Sequence, residues 1–141
     1  MIPKALALDL VTPDKLIVHD HVDEVQLPGW EGMLGILPGH TPLLALLKPG
    51  ELTYRKGQER STLVVEFGMA EVLPDRVTVL VDGAEAPEAI DVSKQEAIKK
   101  EAEQEMSRPQ TADEAERART TMLTALVKLR AAERARGKRG A

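Results

Sequence analysis

Three histidines are the first residues of this 141-residue chain whose types and spacing suggest chemistry. His19 and His21 stand two positions apart, a spacing that places two imidazoles on one face of a β-strand. Two imidazoles are only part of a zinc site, and no third ligand can be assigned from the sequence. His40 follows Pro38-Gly39 among turn signals and has no identifiable catalytic partner. We therefore expect exposed polar histidines, and a small hydrolase or metal enzyme built on His19, His21 and His40 is one competing hypothesis.

The stretch from Gly29 to Gly35, Gly-Trp-Glu-Gly-Met-Leu-Gly, is rich in glycine, which raises the question of a phosphate-binding loop. It lacks the glycine spacing of a dinucleotide-binding loop, and no helical pattern follows it. Tight turns and close approach of neighbouring strands explain the glycines better. The chain has no cysteine, which excludes disulfides, thiolate metal sites and cysteine nucleophiles.

Composition narrows the functions further. The aromatic residues are Trp30, Tyr54 and Phe67, too few to stack on single-stranded nucleic acid without sequence preference. The longest nearly apolar stretch, residues 42–47, is far shorter than the roughly 20 residues that span a bilayer. The first residues have no signal-peptide character, so we expect the protein to act in the compartment where it is made. We expect any association with a membrane to be indirect, through partners.

Charge is distributed unevenly along the chain. Residues 1–89 carry 7 Lys or Arg and 14 Asp or Glu, a balance of −7, whereas residues 110–141 carry 8 and 4, a balance of +4. The basic residues of the last segment are Arg117, Arg119, Lys128, Arg130, Arg134, Arg136, Lys138 and Arg139. They suit either a nucleic acid, as in a free-standing binding adaptor, or an acidic protein surface, and a solvated helix face is the plain alternative. The asymmetry indicates two structural units with different partners.

Residues 1–88 are predicted to form β-strands. Leucines occupy every second position of residues 6–10, as on one face of a strand, and turn signals recur at short intervals. Two hairpins are predicted, one around residues 56–59 and one around Pro74-Asp75. Short strands with regular breaks predict an antiparallel sandwich or barrel rather than alternating βαβ units.

Residues 89–141 are predicted to form two helices. Ser93 and Glu96 have the spacing of a capping box at the start of the first helix, and Asp91 is another candidate cap. Pro109 should end this helix, because the residue before a proline avoids the α region. The predicted apolar face of the first helix is Ile98, Ala102 and Met106.

The second helix is predicted from about Ala112 to about Arg136, after a capping box of Thr111 and Glu114. Its predicted apolar stripe is Ala115, Ala118, Met122, Leu126 and Leu129, with Leu123 at the edge. Because these stripes are thin, docking of the hairpin should contribute only a few kcal/mol, at about 25 cal/mol per Å². A long, charged and lightly held helix is suited to undock and bind another protein.

Several stretches, taken in order, resemble one known family. They are Leu8-Asp9-Leu10-Val11-Thr12-Pro13, Val25-Gln26-Leu27-Pro28-Gly29, the run from Glu31 to Leu44, Leu47-Lys48-Pro49-Gly50, Gly68-Met69-Ala70-Glu71-Val72 and Val77-Thr78-Val79-Leu80-Val81-Asp82. The core Gly-x-x-Gly-Ile-Leu-Pro-Gly-His-x-Pro-Leu, which begins at Gly32, is highly specific, and the match covers essentially the whole chain. The sequence resembles the epsilon subunits of bacterial and chloroplast F-type ATP synthases.

The resemblance implies a ten-stranded antiparallel β-sandwich over residues 1–88 and two antiparallel helices over residues 89–141. It implies a non-catalytic rotor subunit at the foot of the central stalk of a proton-translocating complex. Such a subunit couples rotation of the gamma subunit and the c-subunit ring to ATP synthesis. Its C-terminal helices inhibit ATP hydrolysis when they extend to the alpha and beta subunits. The implied location is peripheral, at the cytoplasmic side of the bacterial plasma (inner) membrane, without nucleic acid.

The resemblance also assigns contacts to individual residues. Glu31, Gly32 and Met33 match the segment that faces the c ring, although many members have an acidic or polar residue in place of Met33. His40 and Pro42 match the side that faces the gamma subunit. The beta-subunit contacts implied for the extended state are Arg117, Arg119, Lys128 and Arg130. No catalytic residue and no metal ligand is implied.

Some members of this family bind ATP through a motif Ile/Leu-Asp-x-x-Arg-Ala. Ile90 and Asp91 match it, whereas Lys94 and Gln95 replace the arginine and the alanine. Lysine keeps the positive charge but lacks the planar fork that binds phosphate through two hydrogen bonds. We therefore expect regulatory ATP binding at Ile90, Asp91 and Lys94 to be weak or absent, with Asp91 acting as a helix cap, and we expect no other cofactor.

Overall fold

The computed structural model describes residues 2–108 and 111–140, and it describes side chains only for residues before 138. Its strands are β1 (Leu6–Val11), β2 (Leu16–Val22), β3 (Glu24–Gly29), β4 (Gly32–Ile36), β5 (Leu43–Leu47), β6 (Gly50–Lys56), β7 (Glu59–Val65), β8 (Gly68–Leu73), β9 (Arg76–Val81) and β10 (Ala84–Glu85). A 3₁₀ turn at Pro87–Ala89 precedes helices α1 (Val92–Met106) and α2 (Ala112–Gly140). The chain divides into two compact units between residues 85 and 86, whereas the sequence places the boundary between 88 and 89.

The strands form two layers that are continuous at one corner. The first sheet has the order β5-β8-β9-β1-β2, and the second has the order β10-β7-β6-β3-β4. They join through a single pairing, Gly29 with Leu47. This confirms the predicted ten-stranded sandwich. Every described strand pair is antiparallel except β1 with β9. These two strands run parallel and lie far apart in sequence, so no local turn signal could reveal their direction.

The alternation of apolar residues places the core between the two sheets. Leu6, Leu8 and Leu10 of β1 are fully buried, whereas the residues between them are half-buried, as a period of two requires. The other large residues of the core are Val22, Val25, Leu27, Ile36, Leu47, Leu52, Val65, Val72, Val77, Val79 and Val81. The core is thus made of leucine, isoleucine and valine contributed by both sheets.

Both predicted hairpins are confirmed. β6 and β7 pair around Gly57, whose φ of +64° is in the left-handed region that glycine adopts without strain. β8 and β9 pair around Pro74-Asp75. The turn chemistry of the sequence therefore sets the register of both sheets locally.

Of the two candidate caps of α1, the structure confirms Asp91 and not the capping box of Ser93 and Glu96. Asp91 is the N-cap, and its side chain accepts a hydrogen bond of 3.1 Å from the backbone N–H of Lys94. Ser93 lies inside the helix, because Asp91 already satisfies the free backbone donor at the helix start. The helix ends at Met106, and Pro109 lies outside the described residues.

The start of α2 is as predicted, since the backbone N–H of Glu114 donates to Thr111 Oγ1 at 3.2 Å. Its end is four residues later than expected, at Gly140. The buried residues of the helical unit are mostly small: Ala102, Ala118, Ala125, Ala131 and Ala132, together with Pro87, Ile90 and Gln95. Ala125, Ala131 and Ala132 were absent from the predicted stripe, whereas Leu123 is 37% exposed.

Candidate functional site

An apolar row crosses the outer face of the first sheet. The strand registers pair Leu46 with Met69, Met69 with Leu80, Leu80 with Val11, and Val11 with Leu16. Directly paired residues project from the same face of a sheet, so these side chains stand side by side, with Leu16 brought opposite Val11 by a register shift between Leu10 and Val11. At about 4.8 Å between strands the row is about 19 Å wide. We call it the apolar row.

The apolar row is exposed although its members are large. Leu46 is 65% exposed, Leu16 55%, Leu80 47% and Met69 36%. Their neighbours along each strand, such as Leu47 and Ala70, are fully buried in the core. At the level of the apolar row, both faces of these strands are therefore apolar, and a contiguous exposed apolar patch of this kind is typical of an interaction surface.

A polar row runs beside the apolar row. It consists of Glu71, Thr78, Asp9 and His19, which are paired across the same strands. His19 Nδ1 donates to Asp9 Oδ1 at 2.5 Å. His19 is thus engaged at the surface of the sandwich. Within the described residues, no cluster of three or more His, Asp or Glu side chains is arranged to hold a metal ion.

A groove adjoins one end of the apolar row. It has a volume of about 510 Å³ and lies between the β3–β4 turn, residues 29–34, and β5, residues 43–46. The backbone N–H of Trp30 donates to the carbonyl of Leu46 at 3.1 Å, which holds the turn beside β5. Trp30, Met33 and Leu44 are 53%, 61% and 65% exposed, so the groove has apolar walls. The turn, the groove and the apolar row form one continuous surface.

The tip of the groove contains the three residues predicted to face the c ring. Glu31, Gly32 and Met33 are all exposed, at the turn between β3 and β4 and the first residues of β4. Gly32 has a φ of +133°, a conformation that side chains with a Cβ rarely adopt, which explains glycine at this turn. These residues are brought together at an accessible edge of the sandwich.

The two residues predicted to face the gamma subunit lie in the loop between β4 and β5. His40 is half-buried, and its Nδ1 donates to the carbonyl of Thr41 at 2.6 Å. Pro42 is exposed and immediately precedes β5. The larger feature is the apolar row, which sequence analysis missed. Its signal was present as strands with apolar residues at consecutive positions, for example Leu43 to Leu47.

The predicted residues of the helical unit form two groups, one on α2 and one at the start of α1. Arg117, Arg119 and Arg130 are exposed on α2, and Lys128 is half-buried. Arg119 Nη2 donates to Glu116 Oε2 at 2.8 Å on the same helix. The side chains of Lys138 and Arg139 lie outside the described set.

The residues of the expected nucleotide motif meet at the start of α1. Ile90 is buried, Lys94 is exposed, and the Asp91 carboxylate accepts the backbone N–H of Lys94 as the helix cap. This carboxylate is therefore engaged in capping the helix.

Comparison with known proteins identifies the family. The model of the β-sandwich domain of the ATP synthase Delta/Epsilon chain matches residues 5–87. The ATP synthase epsilon chain of Koribacter versatilis is 50% identical over 98 residues, 70% of this chain and 69% of that protein. That of Syntrophobacter fumaroxidans is 40% identical over 129 residues, 92% and 96% of the two chains. The chain belongs to the ATP synthase epsilon chain family.

The fold is shared with a chain of a solved ATP synthase complex. A chain of the Euglena gracilis mitochondrial ATP synthase, in a structure of OSCP, F1 and the c ring, aligns with a TM-score of 0.81 and 25% identity. The alignment covers 94% of this chain and 83% of that one. None of the described helices combines the length and the apolar character needed to cross a membrane.

Proposed function

We propose that this chain is a non-catalytic rotor subunit in the central stalk of a proton-translocating F-type ATP synthase, which transmits rotation during ATP synthesis. Membership of the epsilon chain family supports the complex, and the Euglena neighbour belongs to a structure that contains F1 and the c ring. Association with the cytoplasmic side of a bacterial plasma membrane follows through the complex. The observation that carries the proposal is the exposed apolar row.

The apolar row docks on the gamma subunit. Leu46, Met69 and Leu80 offer the kind of exposed apolar area that becomes the dry centre of an interface. The second sheet provides no equal surface: on its outer face Thr53 and Thr62 share a hydrogen bond of 3.3 Å, and Arg55 lies 3.7 Å from Glu24. The interface is therefore assigned to the first sheet.

A charge placed in the apolar row tests this assignment. Leu46→Glu should weaken binding to a purified gamma subunit at least about 30-fold, because a central contact is lost and a carboxylate is buried without a partner. Ser61→Glu, at an exposed position of β7, is the matched control and should bind normally. Equal binding by both variants would show that the apolar row is not part of the interface.

The Glu31-Gly32-Met33 tip meets the c-subunit ring, while the apolar row faces gamma. Photocrosslinking in the assembled complex separates the two contacts. A photoreactive residue at position 33 should capture the c subunit, and one at position 80 should capture gamma. Capture of gamma from both positions would assign the tip to the gamma interface instead.

The helical unit inhibits ATP hydrolysis by extending toward the alpha and beta subunits. Its long basic helix and its alanine-based packing support this role, since a weakly packed element can have two arrangements. Deletion of residues 90–141 should raise hydrolysis by the reassembled complex. No increase would contradict inhibition and would leave the rotor role intact.

Charge is tested separately from packing. Replacing Arg117, Arg119, Lys128 and Arg130 with alanine should weaken inhibition if these side chains face an acidic segment of the beta subunit. The matched control replaces four cations of α1 and its C-terminal flank, Lys94, Lys99, Lys100 and Arg108, and should change inhibition less. Equal effects would show that total charge, and not the α2 surface, controls inhibition.

Regulatory ATP binding is weak or absent. Lys94 replaces the arginine of the family motif, and the Asp91 carboxylate is engaged in capping. Calorimetric titration of the full chain should give no more than weak ATP binding, and Lys94→Arg together with Gln95→Ala should strengthen it. Tight binding by the unaltered chain would refute this.

A free-standing nucleic-acid adaptor is the competing class. It predicts DNA binding by the isolated chain that falls steeply with salt concentration.

A further inference from the structure

The turn end of the helical hairpin has almost no buried side chain. Among the described residues from 103 to 117, only Ala115 is even half-buried, and the others are exposed. Met106, the one large apolar residue of this segment, is 43% exposed. Burial begins at Ala102 on α1 and at Ala118 on α2. Packing therefore stabilises the part of the hairpin that is farther from the turn than Ala102 and Ala118, and it contributes little at the turn itself.

The carboxylates in the last turn of α1 oppose its helix dipole, whereas the N-cap Asp91 favours it. Its first turn has no acidic residue and carries Lys94, while its last turn has no basic residue and ends with Glu103 and Glu105. Carboxylates near the negative C-terminal end of a helix are destabilising. Glu101 and Glu105 are four residues apart, a spacing at which like charges repel on a helix surface, and they share that surface with Lys100 and Arg108. No ion pair within 4 Å involves a described residue of α1.

The charges of α2 show the opposite arrangement. Asp113 and Glu114 lie in its first turn, where the helix dipole favours carboxylates, and Thr111 caps the helix. Arg119 and Glu116 form an ion pair in the next turn. α2 is therefore stabilised at the same end of the hairpin at which α1 is destabilised.

We propose that the hairpin opens from its turn end, with residues 103–106 of α1 unwinding before α2 loosens. In this segment every side chain is exposed, like charges repel and the helix dipole is unfavourable, and nothing in the described part of α2 has all three. The opening would be the first step of the rearrangement in the proposed inhibitory function. The opening itself does not depend on that function, but its role in inhibition does. It is tested on the full chain alone, so its failure is separate from any failure of inhibition.

Hydrogen exchange of the full chain measures the opening directly. Protection factors of the amides at residues 103–106 should be at least about tenfold lower than those of α2 at residues 115–118, which lie near the same turn. Protection at residues 125–132 should be highest. Protection of residues 103–106 equal to or above that of residues 115–118 would overturn the proposal.

Two variants with the same change in net charge separate the electrostatic cause from general charge effects. Glu105→Lys relieves the repulsion with Glu101 and favours the dipole, so it should raise protection at residues 103–106 by about two- to fivefold. Glu96→Lys adds repulsion toward Lys100 and removes a carboxylate near the helix start, so it should lower protection. A change of the same sign in both variants, or none in either, would overturn the electrostatic order of opening.

Discussion

The two units of the molecule bury different kinds of residue. The sandwich buries leucine, isoleucine and valine contributed by both sheets, whereas the helical hairpin buries mainly alanine. An alanine side chain removes one methyl group from water, while a leucine removes four carbons, at roughly 0.8 kcal/mol for each buried CH₂. Per residue, the interior of the sandwich is therefore far more stabilising than the interior of the helical hairpin.

Truncation in the sandwich core should have the largest effect. Leu27 is fully buried, so Leu27→Ala should lower the free energy of unfolding of the sandwich by about 2–5 kcal/mol, through lost transfer energy and a cavity. Urea unfolding followed by Trp30 fluorescence measures the change. Leu44→Ala, at a residue that is 65% exposed, should cost less than about 0.5 kcal/mol. A similar cost for both variants would contradict the distinction between the buried core and the exposed apolar surface.

Enlargement of a buried alanine of the hairpin should have the next largest effect on stability, and this effect should be confined to the helical unit. Ala125 is 1% exposed, so Ala125→Leu should destabilise the helical unit by about 1–3 kcal/mol through overpacking. Helical circular dichroism during thermal unfolding reports on this unit. Ala112→Leu, at an exposed position of α2, is the matched control. If Ala125→Leu were neutral or stabilising, the alanine packing would be loose enough to accept larger side chains.

The same contrast explains how much of each unit the sequence could predict. Period-two alternation and turn residues located the strands and both hairpins, because these signals act between neighbours in sequence. The apolar row was missed because it exists only after five strands, from Leu46 to Leu16, are placed in register. Ala125 was missed because alanine is compatible with either face of a helix, and only the packing of the helical unit decides.

Surface charge should contribute least to the free energy of unfolding of the sandwich. Asp20 on β2 and Lys56 on β6 form an exposed ion pair with an N–O distance of 2.9 Å. The Lys56 hydrogen bond, with help from the backbone N–H of His21, lowers the pKa of Asp20 below its usual value, and the hydrogen bond to Asp20 raises the pKa of Lys56 above its usual value. The Asp20 contribution is lost as pH falls through its lowered pKa, and the Lys56 contribution is lost as pH rises through its raised pKa.

The stability difference between the unaltered chain and Lys56→Met should therefore be small and constant from about pH 5 to about pH 9. It should shrink only in strong acid or strong base, where one partner of the pair loses its charge. Urea midpoints measured across this range test the expectation. A difference that changed steadily through neutral pH would require another titrating group beside Lys56. A large constant difference would mean that the contact between β2 and β6 depends on this ion pair. The stability of the sandwich would then come from more than its apolar core.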